Sequence, residues 1–198
     1  GQRRQRRLQR FPSANSESPD KNWRVEVRNH NVWLKSLKGG ETVQLSFEGN
    51  EDDRYVDEVY WSPNSTRFIA LRRVESQEHI VQLIESAPKD QLQPKSHTLD
   101  YLKPGDRVAI SKPHLFEVGS KSKIPVSSAL FGNPYHLRGY HWSIDSQSFF
   151  FVYNQRGHQV LRVLSVDGFT GDVRTVVEDQ SSTFIDYAYK QFSYYLDD

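Results

Sequence analysis

The segment Trp61-Ser62-Pro63-Asn64-Ser65 returns as Trp142-Ser143-Ile144-Asp145-Ser146, and each copy leads into an apolar strand-like run, Phe68 to Leu71 and Phe149 to Val152. A weaker copy, Ser18-Pro19-Asp20, precedes Trp23 and the run Val25 to Arg28. Asn, Asp and Ser bond their own backbone and tolerate a tight reversal, which suits a turn between two antiparallel strands. Aromatic residue, polar turn and apolar strand thus form one structural unit used repeatedly, and a repeat of that kind points to an all-β propeller. Ser62 follows Ser18 by 44 residues, close to one four-stranded blade of about 40–45. Ser143 follows Ser62 by 81 residues, which is two blades or one blade with an insertion.

Composition supports the same class. Aromatic residues make up 13% of the 198 residues, and together with Val and Ile they favour strands. No stretch approaches the roughly 18 apolar residues of a membrane span, and no hydrophobic leader is present, so a soluble chain without a membrane span is expected. The sequence holds no Met, even at position 1, and begins with Gly1; it reads as an excised piece of a longer protein, with Gly1 a remnant of tag cleavage. The absence of Cys removes disulfides, thiolate metal sites and a cysteine nucleophile. It leaves the compartment open. A net charge of +1 calls for no polyanionic partner. Arg3, Arg4, Arg6, Arg7 and Arg10 crowd the start, but without interleaved aromatics before Phe11 they read as a disordered tail over 1–17 rather than a nucleic-acid arm. No nucleic-acid partner is expected.

Regular alternation begins at Trp23 and passes through Val25, Val27, Val32 and Leu34, with Lys38-Gly39-Gly40 as a hairpin turn. A first blade is expected over 18–48. The second spans 56–130 and carries an inserted hairpin at 79–104, followed by the turn Lys103-Pro104-Gly105-Asp106. A third blade covers 139–179, and the strand Gln191 to Leu196 starts a further one over 183–198. The expected fold is therefore a partial β-propeller of about three four-stranded antiparallel blades plus the start of a fourth. Trp61 and Trp142 should occupy equivalent places and lie largely buried between blades.

Candidate chemistry is sparse. His136, His141 and His158 lack the spacing and partners of a zinc site, so no metal or other cofactor is expected. Ser143, Asp145 and His141 are a chance set without a nucleophile elbow or an oxyanion hole, and no Gly-x-Ser-x-Gly occurs. No catalytic residue is assigned, and the chain is expected to be inert as a hydrolase. The run Asn154 to Gln159 reads as a β-turn using Gly157, against a loop at the propeller mouth. Glu51, Asp52, Asp53, Asp57 and Glu58 read as solvated loop carboxylates, against an amine site. No substrate-binding residue is assigned.

The ordered series Trp61 to Ser65, Asp90 to Lys95, Tyr101 to Asp106, Tyr153 to Gln159, Asp167 to Arg174 and Thr183 to Tyr187 resembles the N-terminal propeller domain of the dipeptidyl-peptidase IV family, prolyl oligopeptidase-type serine peptidases, over about residues 18–198. The resemblance implies a portion of an eight-bladed propeller that caps an α/β-hydrolase domain bearing a Ser-Asp-His triad, in an enzyme that releases N-terminal dipeptides. On that reading the chain gates and positions peptide substrate, and its partners are the peptide, the missing C-terminal hydrolase domain and a second copy. An extended arm from this part of the propeller contributes to homodimer contacts in the family, which implies that role for the inserted hairpin and for Ile80, Leu83, Leu99 and Tyr101. The compartment is not assigned; a periplasmic or secreted setting for the whole protein is one option. The family's Asp-Trp-Val-Tyr-Glu-Glu helix, whose glutamates hold the substrate ammonium, has no counterpart in Asn50 to Tyr60. The rival reading is a stand-alone propeller-type interaction module. The presence or absence of a downstream Gly-x-Ser-x-Gly separates the two.

Overall fold

The computed structural model describes residues 14–77, 79–188 and 195. Strands β1 (Trp23–Arg28), β2 (Asn31–Ser36) and β3 (Thr42–Gln44) form one antiparallel sheet in the order β1-β2-β3. Strands β4 (Asp53–Trp61) and β5 (Arg67–Val74) pair with β8 (Ile110–Glu117) and β9 (Ser122–Ile124) in a second sheet, β4-β5-β8-β9. Between β5 and β8 the chain leaves that sheet as a two-stranded ribbon, β6 (Ile80–Glu85) with β7 (Lys95–Asp100). A third sheet follows as β10 (Pro134–Trp142), β11 (Ser148–Gln155), β12 (Val160–Asp167) and β13 (Val173–Gln180), each strand paired with the next. The helical content among the described residues is one 3-10 turn at Ala129–Phe131. This is an all-β, partial propeller. The expected arginine-rich tail, apart from 14–17, and most of the strand from Gln191 lie outside the described residues.

The second sheet is apolar on both faces, and its sequence shows why. Phe68, Ile69, Ala70 and Leu71 of β5 are all 0% exposed. Side chains alternate across a strand, so Phe68 and Ala70 join one core with Val25, Val32 and Leu34 of the first sheet. Ile69 and Leu71 join another with Phe149, Phe151 and Leu164 of the third. A strand packed on both sides reads as a continuous apolar run rather than an alternation. Each fully buried side chain of this size contributes roughly 1.5–3 kcal/mol.

The three turns share one hydrogen-bond pattern. Ser62 N donates to Arg67 O at 2.9 Å, Ser65 N to Ser62 O at 2.9 Å, and Arg67 N to Ser62 Oγ at 3.0 Å. Ser143 repeats this set with Ser148 and Ser146, and Ser18 repeats it with Trp23 and Lys21. In each turn the hydroxyl also donates to the carboxylate or carboxamide two residues on, at Asp20, Asn64 and Asp145. Lys21, Ser65 and Ser146 all take φ near +60° (59°, 60° and 64°). Successive turns are linked: Asp20 N donates to Ser65 Oγ at 3.0 Å, and Asn64 N to Ser146 Oγ at 3.1 Å.

Trp61 and Trp142 close β4 and β10 and pair with Phe68 and Phe149, so their places are equivalent. Both rings are half-buried rather than enclosed. Each indole N–H reaches a backbone carbonyl in the part of the chain before it, Trp61 to Ser16 O at 3.3 Å and Trp142 to Tyr60 O at 2.9 Å. That requirement holds one end of the ring near the surface.

Candidate functional site

The first strand of each complete sheet is irregular at the same point. Pairing of β4 with β5 shifts register between Tyr55 and Val59, and pairing of β10 with β11 shifts between Arg138 and His141. Gly139 absorbs part of the second bulge at φ +70°. Bulges re-aim side chains and terminate pairing, and they concentrate next to functional sites. Here they turn Asp57 and Glu58 to solvent and place Glu58 and Tyr140 on one cavity.

That cavity, about 240 Å³, lies between the second and third sheets. Its apolar wall is Leu71, Ala109, Ile110 and Leu137, and its polar groups are Glu58, Ser111, His136 and Tyr140. Tyr140 OH donates to Ser111 O at 2.9 Å. Burial, followed by the nearby Tyr60 and Glu58, pushes the Tyr140 phenol up, so it stays a proton donor. Its ring stacks on Phe149 with centroids 6.1 Å apart. His136 Nε2 is buried without a hydrogen-bond partner. Burial, then Arg138 and His158, lowers the His136 pKa, so the imidazole is mostly neutral already at the ordinary histidine value. A carboxylate, a neutral imidazole and a short apolar wall suit a small cationic group with an aliphatic substituent. Among the described residues no cluster of His, Asp and Glu could hold a metal ion.

Beside His136 stands a set of rings. Tyr135 lies 4.6 Å from His158, and His158 stacks on Tyr187 at 4.3 Å. The run Asn154 to Gln159 makes a β-turn, His158 N donating to Gln155 O at 2.9 Å with Gly157 at φ +100°. His158 faces Asn154 Oδ1 at 3.2 Å. His141 packs on Phe150 with centroids 5.3 Å apart, on the face of β11 opposite Phe149 and Phe151. His136 and His158 therefore share the Tyr135 and Tyr187 rings, while His141 lies apart from them.

The acidic stretch separates into distinct roles. Asp53 pairs with Arg72 at 2.9 Å. Glu51 and Asp52 are exposed in the loop before β4. Glu58 alone of the five lines the cavity. Sequence reasoning did not join Glu58 to His136 and Tyr140, although Gly139 beside Tyr140 was a usable sign of an interrupted strand.

The arm residues are exposed: Ile80 is 69%, Leu83 50%, Leu99 50% and Tyr101 53% accessible. They do not share one face. Val81 pairs with Leu99 and Leu83 with His97, so these lie on one side of the ribbon, and Tyr101 joins them through its N–H to His79 O at 3.0 Å. Ile80 and Ile84 lie on the other side, opposite Asp100 and Ser96. The root of the ribbon is held by Asp106, whose Oδ2 accepts from Lys103 N at 2.7 Å and sits 2.9 Å from His79 Nδ1.

Residues 13–195 match the family model described as the dipeptidyl peptidase IV (DPP IV) N-terminal region. Among solved structures, the dipeptidyl peptidase 4 of Porphyromonas gingivalis superposes with a TM-score of 0.62 at 18% identity, covering 86% of this chain and 26% of that one. A protein assigned as a dipeptidyl aminopeptidase IV from Bacteroides ovatus gives 0.47 at 12% identity, covering 84% of this chain and 29% of its own. The chain thus spans less than a third of the length of the proteins it resembles. No curated protein sequence is significantly similar to it.

Proposed function

We propose a function from one premise: this chain belongs to the dipeptidyl peptidase IV N-terminal region family. In the whole protein it serves as the non-catalytic propeller portion of a serine dipeptidyl peptidase, positioning the amino terminus of a peptide for a hydrolase domain outside this sequence and restricting access to it. The observation that supports this most is the cavity between β4 and β10. A substrate ammonium would sit against Glu58, with a small side chain against Leu71, Ile110 and Leu137. Neutral His136 offers a ring nitrogen without adding a competing positive charge, and Tyr140 offers an aromatic wall.

The ribbon β6–β7 supplies the contact between copies. Its support is the exposure of apolar residues on an element whose strands, among the described residues, pair with one another and with no other strand, since open strand edges invite pairing with another chain.

The test titrates the chain with a short peptide bearing a free amino terminus and with its N-acetylated form. The free peptide binds and the acetylated form does not, and Glu58→Gln removes the difference. Equal binding of both peptides overturns the amine assignment. Release of a chromogenic group from an Xaa-Pro substrate, lost on mutating a serine of this chain, overturns the non-catalytic reading.

A further inference from the structure

The first sheet breaks a pattern that the other two keep. Aligned on the turn serines Ser18, Ser62 and Ser143, Arg24 of β1 stands where Phe68 stands in β5 and Phe149 in β11. Glu26 stands where Ala70 and Phe151 do. Lys35, paired with Arg24, takes the place of Phe116 and Val166, which pair with Phe68 and Phe149. In the second and third sheets these positions are all 0% exposed. They pack onto the sheet before: Phe68 shares a core with Val25 and Leu34 of the first sheet, and Phe149 shares one with Ile69 and Leu71 of the second. In the first sheet they are charged and open, the Arg24 side chain 40% and the Lys35 side chain 43% accessible. A strand buried on both faces reads as a continuous apolar run, whereas Arg24-Val25-Glu26-Val27-Arg28 alternates. Its apolar side, Val25 and Val27, meets the second sheet, and its charged side faces away.

Charge and hydrogen bonding restrict what can cover that side. Among the described residues, Arg24, Arg28, Lys35 and the turn residue Lys21 share two carboxylates, Glu17 and Glu26. Arg28 lies 5.5 Å from the centre of the Trp33 ring, and the Trp33 indole N–H has no acceptor among the described residues. An apolar sheet laid here would take cations out of water without giving them partners, and burial of that kind is costly. A second copy in a two-fold contact would bring the same cationic face against itself.

We propose that the outer side of the first sheet is a charged seam, covered in the whole protein by a further sheet of the same polypeptide whose facing side chains include Asp or Glu. Those carboxylates accept from Arg24, Arg28 and Lys35 and from the Trp33 indole, so the donors of this face keep partners when water leaves. The seam presupposes the propeller portion proposed above. It adds the chemistry of one joint, which differs from the two apolar joints within the chain.

The test treats the whole protein with a carbodiimide, which joins an amine to a carboxylate in contact with it, and maps the links by mass spectrometry. The Lys121–Glu41 and Lys123–Glu48 pairs report that the reagent has acted. Lys35 is expected to link to an Asp or Glu of the same polypeptide outside this sequence. Lys35→Arg, which keeps the charge, loses that link and leaves the two reporter links in place. Acetic anhydride should modify Lys35 at least about tenfold more slowly than exposed Lys38, since reaction waits on local opening. A link from Lys35 to Glu26 alone, or to a second copy in a mixture of isotopically light and heavy protein, overturns the proposal. Slow acetylation of Lys35 without an outside link means a covering sheet that lacks carboxylates; the charged seam then fails while the propeller reading stands. Acetylation of Lys35 at the Lys38 rate means an open face, and both readings fail at this joint.

Discussion

Gly171 approaches Pro125 so closely that a Cβ at position 171 would stand 2.1 Å from the Pro125 carbonyl oxygen. The contact joins the β12–β13 turn to the segment after β9, and Gly171 sits at φ +78°, so both the backbone angle and the space exclude other residues. Gly171→Ala should cost about 3 kcal/mol, adding left-handed strain to a clash that neither sheet can relieve alone. Gly105→Ala, with φ +102° and nothing within 4 Å, should cost about 1 kcal/mol. Urea unfolding of the two variants checks the difference. Equal losses would mean that the two sheets do not press together at this point.

A polar cluster joins the first and second sheets. Tyr55 OH donates to Glu48 Oε1 at 2.9 Å and lies 3.3 Å from His114 Nδ1, while Lys123 and Arg72 also face Glu48. Burial, reinforced by Lys123 and Arg72, lowers His114 to about 4. Burial alone would raise Glu48, but hydrogen bonds led by Lys123 bring it to about 2. Between the ordinary histidine value of 6.5 and about 4, the unfolded chain binds a proton that the folded chain refuses, so stability falls as pH falls. Glu48 acts in the same direction below its ordinary 4.5. His114→Gln should flatten the loss between pH 6.5 and 4, which is on the order of 2–3 kcal/mol at 1.36 kcal/mol per unit. Chemical denaturation across that range reads it, and an unchanged slope would remove His114 as the cause.

Ser146 is 3% exposed and accepts the Asn64 N–H from the preceding turn. Ser146→Ala keeps the φ of +64° and loses the acceptor, for an expected cost of about 1 kcal/mol. Ser146→Gly loses the same bond but relaxes the backbone, and should recover part of that loss. The urea midpoint should shift without a change in slope. If alanine and wild type unfold together, the inter-turn bond contributes nothing.

Self-association through the arm should depend on the face altered. Leu83→Lys with Leu99→Lys removes the side carrying Val81 and Tyr101, and Ile80→Lys with Ile84→Lys removes the other. One pair should weaken association at least tenfold, about 1.4 kcal/mol, and the other far less, because a ribbon docking flat buries one face. Light scattering at a series of concentrations decides it. Equal effects would place the contact along the strand edges instead.

The repeat was legible because the same residues perform the same bonds in each copy. Even the weak copy at Ser18 carries the full set, with Asp20 in the role of Asn64. The double-sided packing of β5 was equally visible in Phe68-Ile69-Ala70-Leu71, since no half-exposed strand could afford that run. The cavity was not legible. Glu58, Ser111, His136 and Tyr140 come from three strands and meet only through the curvature of two bulges, and each residue type is commonplace in its own stretch. The half-exposure of Trp61 and Trp142 also escaped, because area favours enclosure while the indole N–H must find a carbonyl at the rim.

The serine links between turns give assembly a direction. Asp20 finds its acceptor in Ser65, and Asn64 finds its own in Ser146, so each of these two turns is completed by residues made after it. A ribosome delivering this chain from its amino end would hold the Asp20 bond open until Ser65 emerges and the Asn64 bond open until Ser146 does. Closure follows synthesis one blade behind, and the nascent edge left exposed at each moment is the one to which the next sheet must bind.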